Sequence, residues 1–289
     1  VDPNVIAGYM NKVDIHRRLQ AGLSFAGFDL TGADFSHANL TGVDFRGSKL
    51  SGAVFSFCNV SGACFQECNL RKADFRHTVI AGAKLVIARL SGLPIANVNY
   101  PNFRTSDMAE ADFSFSKIEK ADFVDTDLTG CTFESVYLKD CEFGRARLDK
   151  STFRNADIQQ CEITGASLKG TSFVKTGIYQ SNLSWSDVSA AEFAYCEMEK
   201  CNFDNTVAGS SVFQNSKCTN LQMISAHAPM MKCEGCTFSG CTFEKSILEK
   251  SYWAECAFSA TVFRGATVTG AEFRDSCRGL VLNGVIGQH

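Results

Sequence analysis

The sequence predicts an all-β chain wound as a parallel β-helix, a square solenoid of about 12–13 coils with a helical cap at its N-terminus. Three observations predict it. From Phe25 onward a large apolar residue falls at every fifth position: Phe25, Leu30, Phe35, Leu40, Phe45, Leu50 and on to Tyr100. Two positions before each sits a small residue, as in Ala33, Ala38, Ser48, Ala53 and Cys58, and two positions after, Gly is common, as in Gly32, Gly42, Gly47 and Gly52. After a change of phase the pattern resumes at Phe103 and runs to Phe273, so about fifty-one quintets cover residues 23 to 275.

A period of five suits neither standard element. Five helical residues turn through about 500 degrees and leave each repeat about 140 degrees out of register. A flat strand repeats every two residues. The period works if each quintet is one side of a square coil, with the large residue and the small one before it pointing inward. Four quintets then make a turn of twenty residues. The columns support this. One reads Phe113, Phe133, Phe153, Phe173, Phe193, Phe213, and its opposite Phe103, Phe123, Phe143, Ile163, Leu183, Phe203. Between them run Met108, Leu128, Leu148, Leu168, Val188 and Ile118, Leu138, Ile158, Ile178, Met198. Stacked rings fill two sides of the interior and slimmer aliphatics the other two.

Quintets such as Ala33-Asp34-Phe35-Ser36-His37, Ala38-Asn39-Leu40-Thr41-Gly42, Ala111-Asp112-Phe113-Ser114-Phe115 and Ala121-Asp122-Phe123-Val124-Asp125 carry a further regularity. They resemble the pentapeptide-repeat family, whose consensus is Ala-(Asp/Asn)-Leu-x-x, over nearly nine-tenths of the chain. The resemblance implies a right-handed quadrilateral β-helix. At a strand spacing of ~4.8 Å the rod is on the order of 60 Å long.

The elements follow in order. Residues 1–22 form the cap, with Asp2 as N-cap, Pro3 in the first turn, and Val5, Ile6, Tyr9, Met10, Val13 and Leu19 as its apolar stripe. It covers backbone that an open solenoid end leaves unpaired. Residues 23–100 are the first run and 101–278 the second, in shifted phase. Pro94 and Pro101 flank the shift. Either two residues are lost there or a loop of about eight is inserted, and the loop is the easier option because a coil cannot shed residues without breaking its ladder. Similar gyrase-protecting proteins carry projecting loops, so Pro94, Asn97, Asn99 and Pro101 are candidate partner contacts. Between 204 and 235 the inward positions turn small, at Ala208, Cys218, Ala228 and Cys233, and the rod is expected to narrow or to extrude a loop bearing Met230 and Met231. Residues 279–289 are the fading C-terminal end. Many members of the family dimerise through a C-terminal module; its absence here points to a monomer.

Composition bounds the chemistry. The net charge of −3 is too mild for a nucleic-acid stripe or for full-length mimicry of DNA. No apolar window is long enough to span a membrane and no signal peptide opens the chain. A start at Val1 rather than Met reads as a partial chain. Ten of the 14 Cys occupy the small inward position, namely Cys58, Cys68, Cys131, Cys141, Cys161, Cys196, Cys201, Cys236, Cys241 and Cys256. There they act as small hydrophobes, which predicts reduced thiols and a cytoplasmic setting. Cys233, Cys236 and Cys241 make the one metal-like cluster, with a single Cys-x-x-Cys on the repeat register. No catalytic triad, phosphate loop or inward carboxylate pair is visible, so no enzyme activity, cofactor or metal is expected.

Function then falls to the outward faces. Asp122, Glu142 and Glu162 stack one coil apart as an acidic strip, and Tyr137, Tyr179, Trp185 and Tyr195 are outward aromatics of the kind that anchor interfaces. The leading expectation is a protein-binding scaffold. The resemblance adds two alternatives: a DNA-mimicking topoisomerase (gyrase) binder conferring protection, and the recognition domain of a larger bacterial effector such as a ubiquitin ligase, which would place it inside a host cell.

Overall fold

The computed structural model describes Met10, residues 12–75, Thr78, Ala83, Pro94–Ile95, residues 103–274 and residues 277–287. It is a parallel β-solenoid. A nine-stranded sheet and a seven-stranded sheet form two of its sides, and isolated parallel bridges twenty residues apart, such as Asp34 to Val54 and Asp122 to Glu142, form the rest. We call the sides of the second run A to D after their centres: A on Phe103, Phe123 and Phe143, B on Met108, Leu128 and Leu148, C on Phe113, Phe133 and Phe153, D on Ile118, Leu138 and Ile158.

Hydrogen bonding explains the quintet. In the one centred on Phe35, Ala33 N donates to Leu30 O across a turn (3.0 Å), while Phe35 N and His37 N donate to Val54 O (2.8 Å) and Ser56 O (3.0 Å) of the next coil. Val54 N in turn donates back to Ala33 O (2.9 Å). The amide after the centre has no ladder partner, and the preceding side chain takes it: Ser36 N donates to Asp34 Oδ1 (2.9 Å). The same bond recurs at Asp112, Asp122, Asn182 and Asn202. The Asp or Asn of the repeat is therefore a turn acceptor that leaves no buried amide unpaired. On sides C and D this residue is mostly replaced, as by Tyr137, Thr152 and Ser172, and three-residue strands such as Tyr137–Lys139 and Thr152–Arg154 form instead.

The core follows the columns. Ring centroids along Phe113, Phe133, Phe153, Phe173, Phe193 and Phe213 are 4.5–5.0 Å apart and nearly parallel. The inward small position has a role beyond packing. Thr126 Oγ1 donates to Phe103 O (2.8 Å), Cys131 Sγ to Met108 O (3.0 Å) and Cys196 Sγ to Phe173 O (3.1 Å), so hydroxyl and thiol are interchangeable corner donors.

The phase change is settled by register. Pro94 and Ile95 pair with Lys117 and Ile118, 23 residues on rather than 20. The bond from Asp107 N to Ala83 O (3.1 Å) likewise spans three residues more than its counterpart from Asp74 N to Ala53 O (2.8 Å). The coil gains three residues: it neither loses two nor takes in eight, since Ile95 still pairs with Ile118, 23 positions on. The register also turns the interior. The first-run ring columns, Phe25–Phe45–Phe65 and Phe35–Phe55–Phe75, lie in line with sides B and D, whereas the second-run rings lie on A and C.

Two further expectations are corrected. The stretch 204–235 extrudes no loop; its quintets run on unbroken. Volume lost at Cys218, Ala228 and Cys233 is made up by Leu221 and Met231, large residues at the normally small inward position, both buried. In the cap, helix α1 covers Lys12–Gln20. Val13 is exposed and Ile15 is the buried residue, with Leu19 packed beside the core. Gly22 ends the helix at φ +62, with Leu23 N on Arg18 O (3.1 Å) and Gly22 N on Leu19 O (3.0 Å). The other proposed cap residues before Met10 lie outside the described residues. At the far end the ladder outlasts the sequence pattern: Arg278 pairs with Ala257 and Ile286 with Thr267.

Candidate interaction surface

A square tube with a filled core presents flat sides. Each quintet places two side chains on a side, before and after the centre, and one at the corner in a left-handed turn. Outward groups therefore stand in rows one coil apart, and function is read by asking which rows adjoin.

The acidic strip lies on side A. Asp122, Glu142 and Glu162 are successive bridge partners, and the column continues into Asn182. Asn182 Nδ2 donates to Glu162 Oε2 (2.9 Å), and Arg104 Nη1 lies 3.3 Å from Asp122. Arg145 makes a two-pronged bond to Asp125 at the adjoining corner (2.8 and 2.7 Å), holding that carboxyl below the usual range. The strip is thus three residues long and closed by an amide at one end and a guanidinium at the other.

Three of the four named aromatics gather around side D. Tyr137 stands beside Lys117, whose ammonium is 5.4 Å from the ring centroid. Tyr179 folds its ring back over Gly177, filling the space a Cβ would occupy, and its hydroxyl donates to Glu197 (3.3 Å). Burial and the Glu197 charge raise the Tyr179 pKa, and the Lys217 ammonium at 2.9 Å lowers that of Glu197. Both rings are spent on neighbours and half-buried. Tyr195 sits at the corner between C and D, in the column of Phe115, and both are exposed.

Trp185 and Met230 meet around a different side. Trp185 is at the corner leading into side B and is 66% exposed; Met230 is at the corner leaving it and is 56% exposed. Between them the outward column of side B reads Val207, His227, Ile247, in successive bridges. Val207 is 42% exposed, and Gly209 and Pro229 form the neighbouring column. No charged residue stands on side B from Ser189 to Ile247. Charges rim it: Asp187 paired with Lys169 (3.2 Å) at one end, and Lys245, Glu249 and Lys250 at the other. An uncharged centre with a large aromatic and a charged rim is the anatomy of a protein interface.

Sequence reasoning named Trp185 and Met230 but did not join them, and missed Val207, His227 and Ile247. The signal was there: these three replace the turn-forming Asp or Asn of the repeat. Met231, proposed as a partner contact, is buried and belongs to the core. Pro94 contributes backbone to a strand, and Asn97, Asn99 and Pro101 lie outside the described residues.

Burial keeps Cys68, Cys196 and Cys201 protonated. The Cys68 pKa is pushed up to about 12 and those of Cys196 and Cys201 to about 11, burial being the largest cause in each. All 14 cysteines are unbridged. Cys233, Cys236 and Cys241 point inward from three successive sides, and among the described residues no group of His, Cys, Asp and Glu converges as a metal site. A cavity of ≈ 420 Å³ lies between α1 and the first coil, lined by Ile15, His16, Leu19, Phe35 and His37. Its histidines are engaged, His16 with Gln20 (2.9 Å) and His37 stacked on Phe57 at 4.9 Å. Among the described residues no helix is long and apolar enough to cross a membrane.

The family model for pentapeptide repeats matches residues 22–56, 53–92, 106–144, 137–174 and 236–275. No curated protein matches the chain. Among solved structures, a pentapeptide repeat protein of the Arabidopsis thaliana thylakoid lumen is 34% identical over 32% of this chain, with a TM-score of 0.30. The match spans 63% of that protein, less than two thirds of its length. HetL, a pentapeptide repeat protein involved in heterocyst differentiation regulation in the cyanobacterium Nostoc, is 20% identical over 97% of this chain and 99% of its own, with a TM-score of 0.34. QnrB1, a plasmid-mediated fluoroquinolone resistance protein, is 18% identical over 75% of this chain and 85% of its own, with a TM-score of 0.28. At these scores the likenesses carry nothing of those proteins' roles to this chain.

Proposed function

The chain belongs to the pentapeptide repeat family, and we propose that it is a non-enzymatic rod that binds a protein partner through side B. One observation carries the reading: Trp185, Val207 and Met230, exposed at 66%, 42% and 56%, border one uncharged surface on adjoining coils. Scattered apolar residues are normal on a protein, whereas a contiguous group with a charged rim marks a contact surface. A ladder-built side is also rigid, so little ordering is lost on binding.

Mimicry of DNA is the weaker reading. It asks for a continuous run of carboxylates, and the strip on side A has three before Asn182 ends it. Among the described residues a catalytic reading finds no reacting group free in a cleft.

The test is affinity capture with the full chain. The Val207→Glu/Met230→Glu double variant should lose the captured protein, and Tyr195→Ser, at the corner between C and D, should retain it. Capture that survives the double variant and fails with Tyr195→Ser would place the contact on side D and end the reading.

A further inference from the structure

The geometry of side B also specifies the kind of segment it takes. The main chain of its outward column, Val207, His227 and Ile247, is already paired on both sides. Val207 N, His227 N and Ile247 N donate to Ser186 O (3.0 Å), Thr206 O (2.8 Å) and Ala226 O (2.8 Å). The carbonyls of the same three residues accept from Val188 (2.7 Å), Ala208 (2.8 Å) and Ala228 (2.9 Å). An extended segment therefore cannot add as a strand, and its own backbone would lose water without compensation. A helix brings its hydrogen bonds with it.

Spacing agrees. Rows of the ladder stand ~4.8 Å apart, whereas same-face residues of an extended segment stand ~6.8 Å apart. Turns of an α-helix rise ~5.4 Å. Over the two steps from Val207 to Ile247 a helix slips by about 1 Å and a strand by about 4 Å. The apolar stripe of a helix can keep its knobs opposite successive rows; a strand cannot.

The rim sets the direction. Lys245 and Lys250 are exposed at the two corners of the coil centred on Phe243 and Leu248. Neither has a carboxylate partner among the described residues; Glu249 stands between them, and the nearby Glu244 is held by Arg264. This end carries one cation in excess. At the opposite end Asp187 and Lys169 neutralise each other at 3.2 Å. We infer that side B takes an amphipathic α-helix laid along the tube, its apolar stripe on Val207, His227 and Ile247 and a carboxylate-bearing end at Lys245 and Lys250. The inference rests on the proposed protein-binding role of this side.

The test uses the full chain and synthetic amphipathic peptides of about fourteen residues, four helical turns. They carry Leu at positions i, i+3, i+4 and i+7 and differ only in ending with two Glu or two Lys. A third peptide, Glu-ended, has a central Pro. The readout is emission from Trp185, which is exposed, against Trp253, which is buried. The Glu-ended peptide should shift the emission to the blue and bind about tenfold more tightly than the Lys-ended one, a difference of about 1.4 kcal/mol. The Pro peptide should lose binding, the Lys245→Glu/Lys250→Glu variant should reverse the order, and Trp185→Phe should abolish the shift. Equal affinity for both ends, indifference to Pro, or no shift with any peptide overturns the inference. Those outcomes leave the protein-binding reading to its own test, the capture by Val207→Glu/Met230→Glu.

Discussion

Phe153→Ala probes the principle that holds the rod together. The ring is 3% exposed and lies in the middle of its column, 4.5 Å from Phe133 and 4.9 Å from Phe173, nearly parallel to both. Its strand Thr152–Arg154 is locked in register with Ser172–Val174. The walls therefore cannot close over the gap. Truncating a buried Phe costs about 3–5 kcal/mol when the site does not collapse. Each lost ring pair adds ~0.5–1.5 kcal/mol beyond area, with part of that already counted in the truncation. A loss of about 4–6 kcal/mol follows. Urea unfolding followed by far-ultraviolet circular dichroism measures it. Phe115→Ala is the control: the ring is 66% exposed at a corner, and its loss should stay within about 0.5 kcal/mol. A Phe153→Ala cost under about 1 kcal/mol, or a Phe115→Ala cost as large as that of Phe153→Ala, would refute the stacked-column account.

Other expectations concern charge and thiols. Asp44 is held at a pKa of about 2, chiefly by the Arg46 side chain, which bonds both carboxylate oxygens at 2.9 and 2.8 Å. A depressed carboxylate contributes stability that is present above its unfolded value and lost as pH falls through the folded one, here from about 4 down to about 2. Carbon-detected NMR titration should place the Asp44 midpoint near 2, and Arg46→Ala should move it up toward 3.8; a native midpoint already near 3.8 would contradict the contact. The 12 buried cysteines should resist iodoacetamide in the folded protein, with Cys64 and then Cys277 alkylated first. Mass spectrometry showing Cys131 or Cys218 modified before Cys64 would contradict the burial.

The fold was legible in the sequence because the solenoid repeats one local rule. Large residues five apart and small ones two before them need only a closed coil to face inward, so Phe113 to Phe213 could be stacked on paper. What could not be read was conditional on a neighbour in space. The three-residue addition appears only when Ile95 is paired with Ile118. Met231 and Leu221 are read as core only once the small centres Cys233 and Ala228 are seen beside them. The surface was less legible for the same reason. Trp185 and Met230 are 45 positions apart in sequence, one read as an outward aromatic and the other as part of an expected loop; the tube places them at opposite corners of one side. Tyr137 and Tyr179 looked like free anchors, but Lys117, Gly177 and Glu197 have already engaged them.

In the proposed reading side B meets the partner. Hydroxyl-radical footprinting of the protein alone and bound to its captured partner tests it most directly, because Trp, Met, His, Tyr and Phe all report. Trp185, His227 and Met230 should be protected in the complex while Tyr195 and Phe115 stay reactive. Protection of Tyr195 and Phe115 with Trp185 and Met230 unchanged would contradict it.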